Sequence, residues 1–125
     1  MKLRVKENSL RLRLLRSEVE TLTSVGWVSE DIRFGAGTDQ ALRYTLVSSG
    51  EVEEITVQFV ENQILVLLPE SVAAGWTGSD QVGIESTQKI DEDCSLIVLI
   101  EKDFVCLERP NDQDHDDAFP RPTAC

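Results

Sequence analysis

From Lys2 to Leu14 apolar and basic side chains alternate with a single slip of phase, and that alternation restricts the fold more than any other stretch does. Alternate residues of a strand point to opposite faces, so Leu3 and Val5 turn one way while Lys2, Arg4 and Lys6 turn the other. After Glu7-Asn8-Ser9 the apolar positions move from odd to even numbers, to Leu10, Leu12 and Leu14, with Arg11 and Arg13 between them. A tight hairpin or a bulge explains the slip, because one extra residue exchanges the faces. The hairpin is the favoured reading, with Lys2, Arg4 and Lys6 on one surface and Arg11 and Arg13 in a second short row.

Further strands follow from the same pattern. Trp27–Phe34, Ala41–Val47 and Glu54–Val60 alternate, and Glu61-Asn62 reads as a turn before the apolar run Ile64–Leu68. Later strands are expected near Val82–Thr87, Cys94–Ile100 and Phe104–Leu107. Ser17-Glu18-Val19-Glu20 has the form of a capping box and predicts a helix from Ser17 to about Val25, closed by Gly26. Pro69 suits the first turn of a shorter helix over Glu70–Gly75. The continuous runs Ile64–Leu68 and Leu96–Ile100 read as strands buried on both faces. Trp27 and Trp76, each at the end of a helix, are expected in the core.

The order of elements suggests a duplication. Leu10–Leu15 precedes a helix and Gly26-Trp27; Ile64–Pro69 precedes a helix and Gly75-Trp76. Each copy would read strand, helix, three strands, with one extra strand in front. The expected fold is α+β: a mostly antiparallel sheet or barrel with two short helices, over residues 1–108. Residues 109–125 form an acidic tail containing proline.

Charge is unevenly distributed. Six Lys/Arg and one acid lie in residues 1–16, whereas residues 17–125 hold six Lys/Arg and 22 Asp/Glu, giving the net charge of −11. So large an acidic remainder argues against nucleic-acid and anionic-membrane partners. Neither a signal peptide nor a membrane span is legible, so a cytoplasmic location is expected. Of the three cysteines, Cys94 and Cys106 read as buried thiols and Cys125 as exposed; they make no disulfide framework.

Two features could carry chemistry. Lys2, Arg4, Lys6, Arg11, Arg13, Arg33 and Arg43 would make an anion site if they converged, since guanidinium and ammonium groups hold phosphate by charge-assisted hydrogen bonds. Alternatively they face water and pair with acids of neighbouring strands, with Glu51, Glu53, Glu54 and Glu101 as candidates. Asp112, Asp114, His115 and Asp116 could ligate a divalent metal, but the glycine and terminal glutamate of a calcium loop are missing. The other reading is a solvated acidic tail. No nucleophile with a well-placed base, and no phosphate-binding glycine loop, is present.

The element order resembles that of the triphosphate-tunnel enzymes, barrels that hold a triphosphate and a divalent metal. Their opening E-x-E-x-K pattern is absent, with Lys2, Arg4 and Lys6 in its place. Asn8–Leu14 with Glu18-Val19, Glu101–Leu107 and Phe119–Pro122 resemble a small bacterial family of uncharacterised proteins. That resemblance implies a stand-alone bacterial cytoplasmic protein and brings no activity, cofactor or site. The sequence thus points to a non-catalytic binding or regulatory module without cofactor, acting on another protein, of undetermined oligomeric state. The alternative is a metal-assisted phosphoanhydride hydrolase or phosphate-ligand binder of the tunnel type. In that case Arg4, Arg11, Arg13, Arg33 and Arg43 would converge on one cavity with several acids.

Overall fold

The computed structural model describes residues 1–104 and Phe119. The elements run β1 (Lys2–Lys6), β2 (Ser9–Leu14), α1 (Arg16–Val25), β3 (Trp27–Arg33), β4 (Ala41–Ser49), β5 (Thr56–Val60), β6 (Gln63–Pro69), α2 (Glu70–Thr77), β7 (Gly83–Lys89) and β8 (Ser95–Lys102). The hairpin reading of residues 7–9 holds: Lys6 pairs with Ser9 across a two-residue turn. The protein is α+β and mostly sheet, as the alternation requires. The strands form two four-stranded sheets in the orders β1-β2-β8-β7 and β3-β4-β6-β5. Neither closes into a barrel, and each is mixed: β2·β8 and β4·β6 pair parallel in the middle, with antiparallel pairs outside.

The duplication is present with a different boundary from the expected one. Its unit is strand-strand-helix-strand-strand, β1 to β4 and then β5 to β8, and each leading hairpin pairs with the trailing hairpin of the other unit. Leu12 pairs with Ile100 and Leu46 with Val66, so positions 12 and 66, like 46 and 100, are 54 residues apart. The same interval carries Lys2–Arg13 onto Thr56–Leu67, and the helix start Arg16 onto Glu70. It also carries the turn residue Glu7 onto Glu61, both with a φ of 51°. Only the β3–β4 pairing departs, by two residues: Trp27 faces Val47, but the counterpart of Val47, Glu101, faces Gly83.

The two Gly-Trp pairs are not counterparts. Gly26, at φ 96°, ends α1, and Trp27 opens β3 with half its surface exposed. Gly75-Trp76 lies inside α2, where Trp76 is fully buried and occupies the place of Leu22 of α1. The expectation that both tryptophans are core residues therefore holds for Trp76 alone. Ser17 does not cap α1 either. Leu15 is the N-cap residue, and its N–H donates to Glu18 Oε1 at 2.8 Å, which is one half of a capping box.

One core joins both sheets and both helices. Leu12, Leu46, Val66 and Ile100, two from each central strand pair, are 0% exposed, and Leu14, Leu22, Leu68 and Trp76 surround them. The runs Ile64–Leu68 and Leu96–Ile100 are not buried on both faces as expected: Val66, Leu68, Val98 and Ile100 are buried, while Leu65, Leu67 and Leu99 are half-buried and Ile97 is exposed.

Side chains bridge the sheets along both open seams. Between β1 and β3 the Met1 amine meets the carboxylates of Glu18 and Glu30, the latter at 2.8 Å, and Tyr44 Oη donates to Met1 O at 3.0 Å. Between β7 and β5 the Gln88 amide takes the place of a strand: Val57 N–H donates to its Oε1 at 2.7 Å, and its Nε2 donates to Val57 O at 3.0 Å. Cys94 is half-buried, not buried, and Asn8 Nδ2 donates to its Sγ at 3.2 Å. Phe104 lies beyond β8, and the rest of the strand expected there, like Cys106, Cys125 and the tail boundary, lies outside the described residues.

Candidate anion-binding face

The hairpin register builds the face. Lys2 lies opposite Arg13 and Arg4 opposite Arg11. Residues facing one another across an antiparallel pair share a side of the sheet, so the two short basic rows form one block. Leu10, Leu12 and Leu14 take the opposite side into the core, which forces every basic residue of β1 and β2 outward. The register with β8 extends the block: Arg13 faces Glu101, Arg11 faces Leu99, and Ser9 faces Ile97. β7 adds Gly83 beside Glu101 and Glu85 beside Leu99. A Cβ at Gly83 would stand 3.1 Å from that of Glu101, so the glycine leaves room for the carboxylate between the strands.

Glu101 is the acid at the centre of this arrangement. Arg13 Nε donates to its Oε1 at 2.5 Å, and Arg11 Nε stands 3.7 Å from the same oxygen. Lys2 Nζ meets Asp103 Oδ2 at 2.9 Å, just beyond the end of β8. Of the four acids proposed from sequence as countercharges, Glu101 alone lies on this sheet; Glu51, Glu53 and Glu54 belong to the β4–β5 connection. The face is therefore basic along β1 and β2, apolar at Leu99 and Ile97, and open to solvent at Lys2 and Arg4.

Arg33 and Arg43 lie elsewhere, on the outer side of β3 and β4 in the other sheet. Arg43 grips Asp31 through two hydrogen bonds, Nε to Oδ1 at 2.7 Å and Nη2 to Oδ2 at 3.2 Å. That contact holds the Asp31 carboxyl below its ordinary range and raises the guanidinium of Arg43. Arg33 Nη2 donates to Ala36 O at 3.4 Å. Five of the seven candidate cations are thus together and two are apart. Asp112, Asp114, His115 and Asp116 lie outside the described residues, and among the described residues no three His, Cys, Asp or Glu side chains are grouped to hold a metal.

The Met1 cluster was invisible in the sequence, where Glu18 is an intervening residue of the Ser17–Glu20 capping-box pattern and Glu30 a strand residue. Burial opposes the charge on the Met1 amine, but its hydrogen bonds to Glu18 and Glu30 outweigh that cost and raise its pKa. Burial likewise opposes the Glu18 carboxylate; the amine and the Leu15 N–H overcome it and hold the carboxyl low.

The architecture is that of an α+β protein made of two interlocked strand-strand-helix-strand-strand units. Residues 1–123 match the Family of unknown function (DUF7009), and the chain belongs to that family. No curated protein and no solved structure matches it. No helix among the described residues is long and apolar enough to cross a membrane.

Proposed function

We propose that the protein is a non-catalytic binding module whose outer β1–β2 face takes a short acidic segment of a protein partner. One observation carries the reading. The counterparts of Lys2, Arg4, Lys6, Arg11 and Arg13, each 54 residues on, are Thr56, Gln58, Val60, Leu65 and Leu67. The same hairpin in the same register therefore forms without a single cation. Like charges directly opposite one another weaken a strand pair, yet β1 and β2 carry two such pairs. The fold does not need these charges, and beside Glu101 and Asp103 they make this face attractive to a further negative group.

The rest of the surface limits what that is. A nucleic-acid duplex or an anionic bilayer extends well past four strands and meets the acidic remainder of the molecule. A short extended acidic segment stays on the face, where Arg11 and Arg13 offer charge-assisted hydrogen bonds and Leu99 and Ile97 offer apolar contact. The reading goes with a reducing, cytoplasmic setting, in which a half-exposed thiol such as Cys94 persists. The spread of the arginines over two outer faces favours it over the phosphoanhydride hydrolase.

Fluorescence anisotropy of a labelled peptide of alternating Glu and Asp tests the reading. Binding should weaken about tenfold in Arg11→Gln/Arg13→Gln and fall with added salt, as expected for screened surface charge. An unchanged affinity in that variant overturns it. So does inorganic triphosphate with magnesium binding more tightly than the peptide.

A further inference from the structure

We propose that the basic face is a docking surface for the chain's own acidic C-terminal segment, Asp112–Asp117, which competes there with an acidic partner segment. This rests on the reading above that the face takes an acidic polypeptide, and it names the resident occupant.

Three observations support it. The first is charge complementarity: Asp112, Asp114, Asp116 and Asp117 fall within six residues that contain no Lys or Arg. The face carries five cations along β1 and β2, with Glu101 and Asp103 beside them. The second is the exit point of the chain. β8 lies beside β2, Leu14 faces Lys102, and Asp103 N–H donates to Leu14 O at 2.8 Å. The chain therefore leaves the sheet at the Lys2–Arg13 end of the face, already tied there by Lys2–Asp103. The third is reach. The nine residues from Asp103 to Asp112 span at most about 30 Å when extended, whereas β1 is about 17 Å long and the sheet about 14 Å across. The Asp cluster can reach every cation of the face without strain on β8. Asp112, Asp114 and Asp116 also alternate, so in an extended chain all three present to one side.

A tethered segment of this kind competes as an intramolecular ligand at an effective concentration in the millimolar range. It would set the threshold that a partner must exceed.

The experiment uses the full chain, as wild type and with Asp112, Asp114, Asp116 and Asp117 all replaced by Asn. Zero-length carbodiimide cross-linking should join Lys2 or Lys6 to the Asp112–Asp117 segment in the wild type at low salt, with the links lost in half-molar salt. The Glu-Asp probe peptide should bind the substituted chain about tenfold more tightly than the wild type, because the tethered competitor is gone. Equal peptide affinity in both chains, with no cross-links, overturns the docking proposal and leaves the binding face standing. A peptide that binds neither chain overturns the binding reading, and this one with it. Cross-links that join isotopically light and heavy chains in a mixed sample also overturn it, because the occupant is then a second copy.

Discussion

The β1–β2 and β5–β6 hairpins are one backbone written in two sequences. Both turn through a two-residue loop whose first residue is a glutamate at φ 51°, and both pair their second strand in parallel with a trailing hairpin. Both also send an alternating apolar row inward. Outward they diverge completely: Lys2, Arg4, Lys6, Arg11 and Arg13 in one, Thr56, Gln58, Val60, Leu65 and Leu67 in the other. The inward rows are held alike by packing, whereas the outward rows answer to whatever each sheet meets. In β5 and β6 that is compatible with half-buried leucines; in β1 and β2 it includes the carboxylates of Glu101 and Asp103.

The strongest way to break the comparison is in the core. Leu14 and Leu68 are counterparts, and both are almost completely buried. Leu14→Ala and Leu68→Ala should each cost about 3 kcal/mol in urea unfolding. A difference between them well beyond about 1 kcal/mol would mean that the two halves pack differently despite their shared register.

The seams come next. Gln88→Ala strands the N–H and C=O of Val57 and should cost about 1–2 kcal/mol. Glu18→Gln with Glu30→Gln removes both anions from the Met1 amine and should cost about 2 kcal/mol. Only the second seam depends on pH. The amine's pKa is raised in the folded state, so its contribution is full below the unfolded value of 8.0 and is lost as pH climbs through the folded one. The Glu18 pKa is depressed, so its contribution is present above the unfolded value of 4.5 and is lost as pH falls through the folded one. The stability gap between wild type and Glu18→Gln/Glu30→Gln should therefore be widest between roughly pH 5 and 8. A gap that is flat across that range and beyond it would remove the charge from the account.

The smallest effect sharpens the comparison most. Transplanting the second hairpin's outward residues onto the first gives Lys2→Thr, Arg4→Gln, Lys6→Val, Arg11→Leu and Arg13→Leu. With Glu101→Gln and Asp103→Asn added, so that no largely buried carboxylate loses its cation, the unfolding free energy should stay within about 1 kcal/mol of wild type, since two like-charge pairs disappear with the ion pairs. Collapse of the fold would make the cations structural and withdraw the argument for a ligand.

Much of the fold was legible because alternation reports burial directly. The phase change at Glu7–Ser9 gave the first hairpin, and the runs at Leu10–Leu15 and Ile64–Pro69 carried the true interval of the duplication. Gly-Trp, the more conspicuous repeat, misled. A glycine can end a helix or sit within one, and a tryptophan is conspicuous to the eye wherever it packs. Ser17 misled for a related reason: a capping box is a local signal, and Leu15 occupied the cap position because the chain left β2 there. Nothing local could show that β2 and β8 are neighbours, since that pairing joins opposite ends of the chain. The convergence of five cations was half legible, as two rows whose union depended on hairpin register. The Met1 cluster was not legible at all, because it depends on three elements meeting at a seam.

The two central parallel pairings differ in what they ask of the chain during folding. The β4·β6 partners lie 20 residues apart, and the whole of the sheet they organise falls within residues 27–69. The β2·β8 partners lie 88 residues apart. Closing the longer loop costs roughly 1.3 kcal/mol more in chain entropy, about two doublings of loop length. The middle sheet can therefore assemble from contiguous chain, while the first hairpin waits, one edge of β2 unpaired, until β8 has been made. Each half of the sequence carries the missing strands of the other, so neither half is a domain by itself. Through this exchange of hairpins the two repeated units share one core.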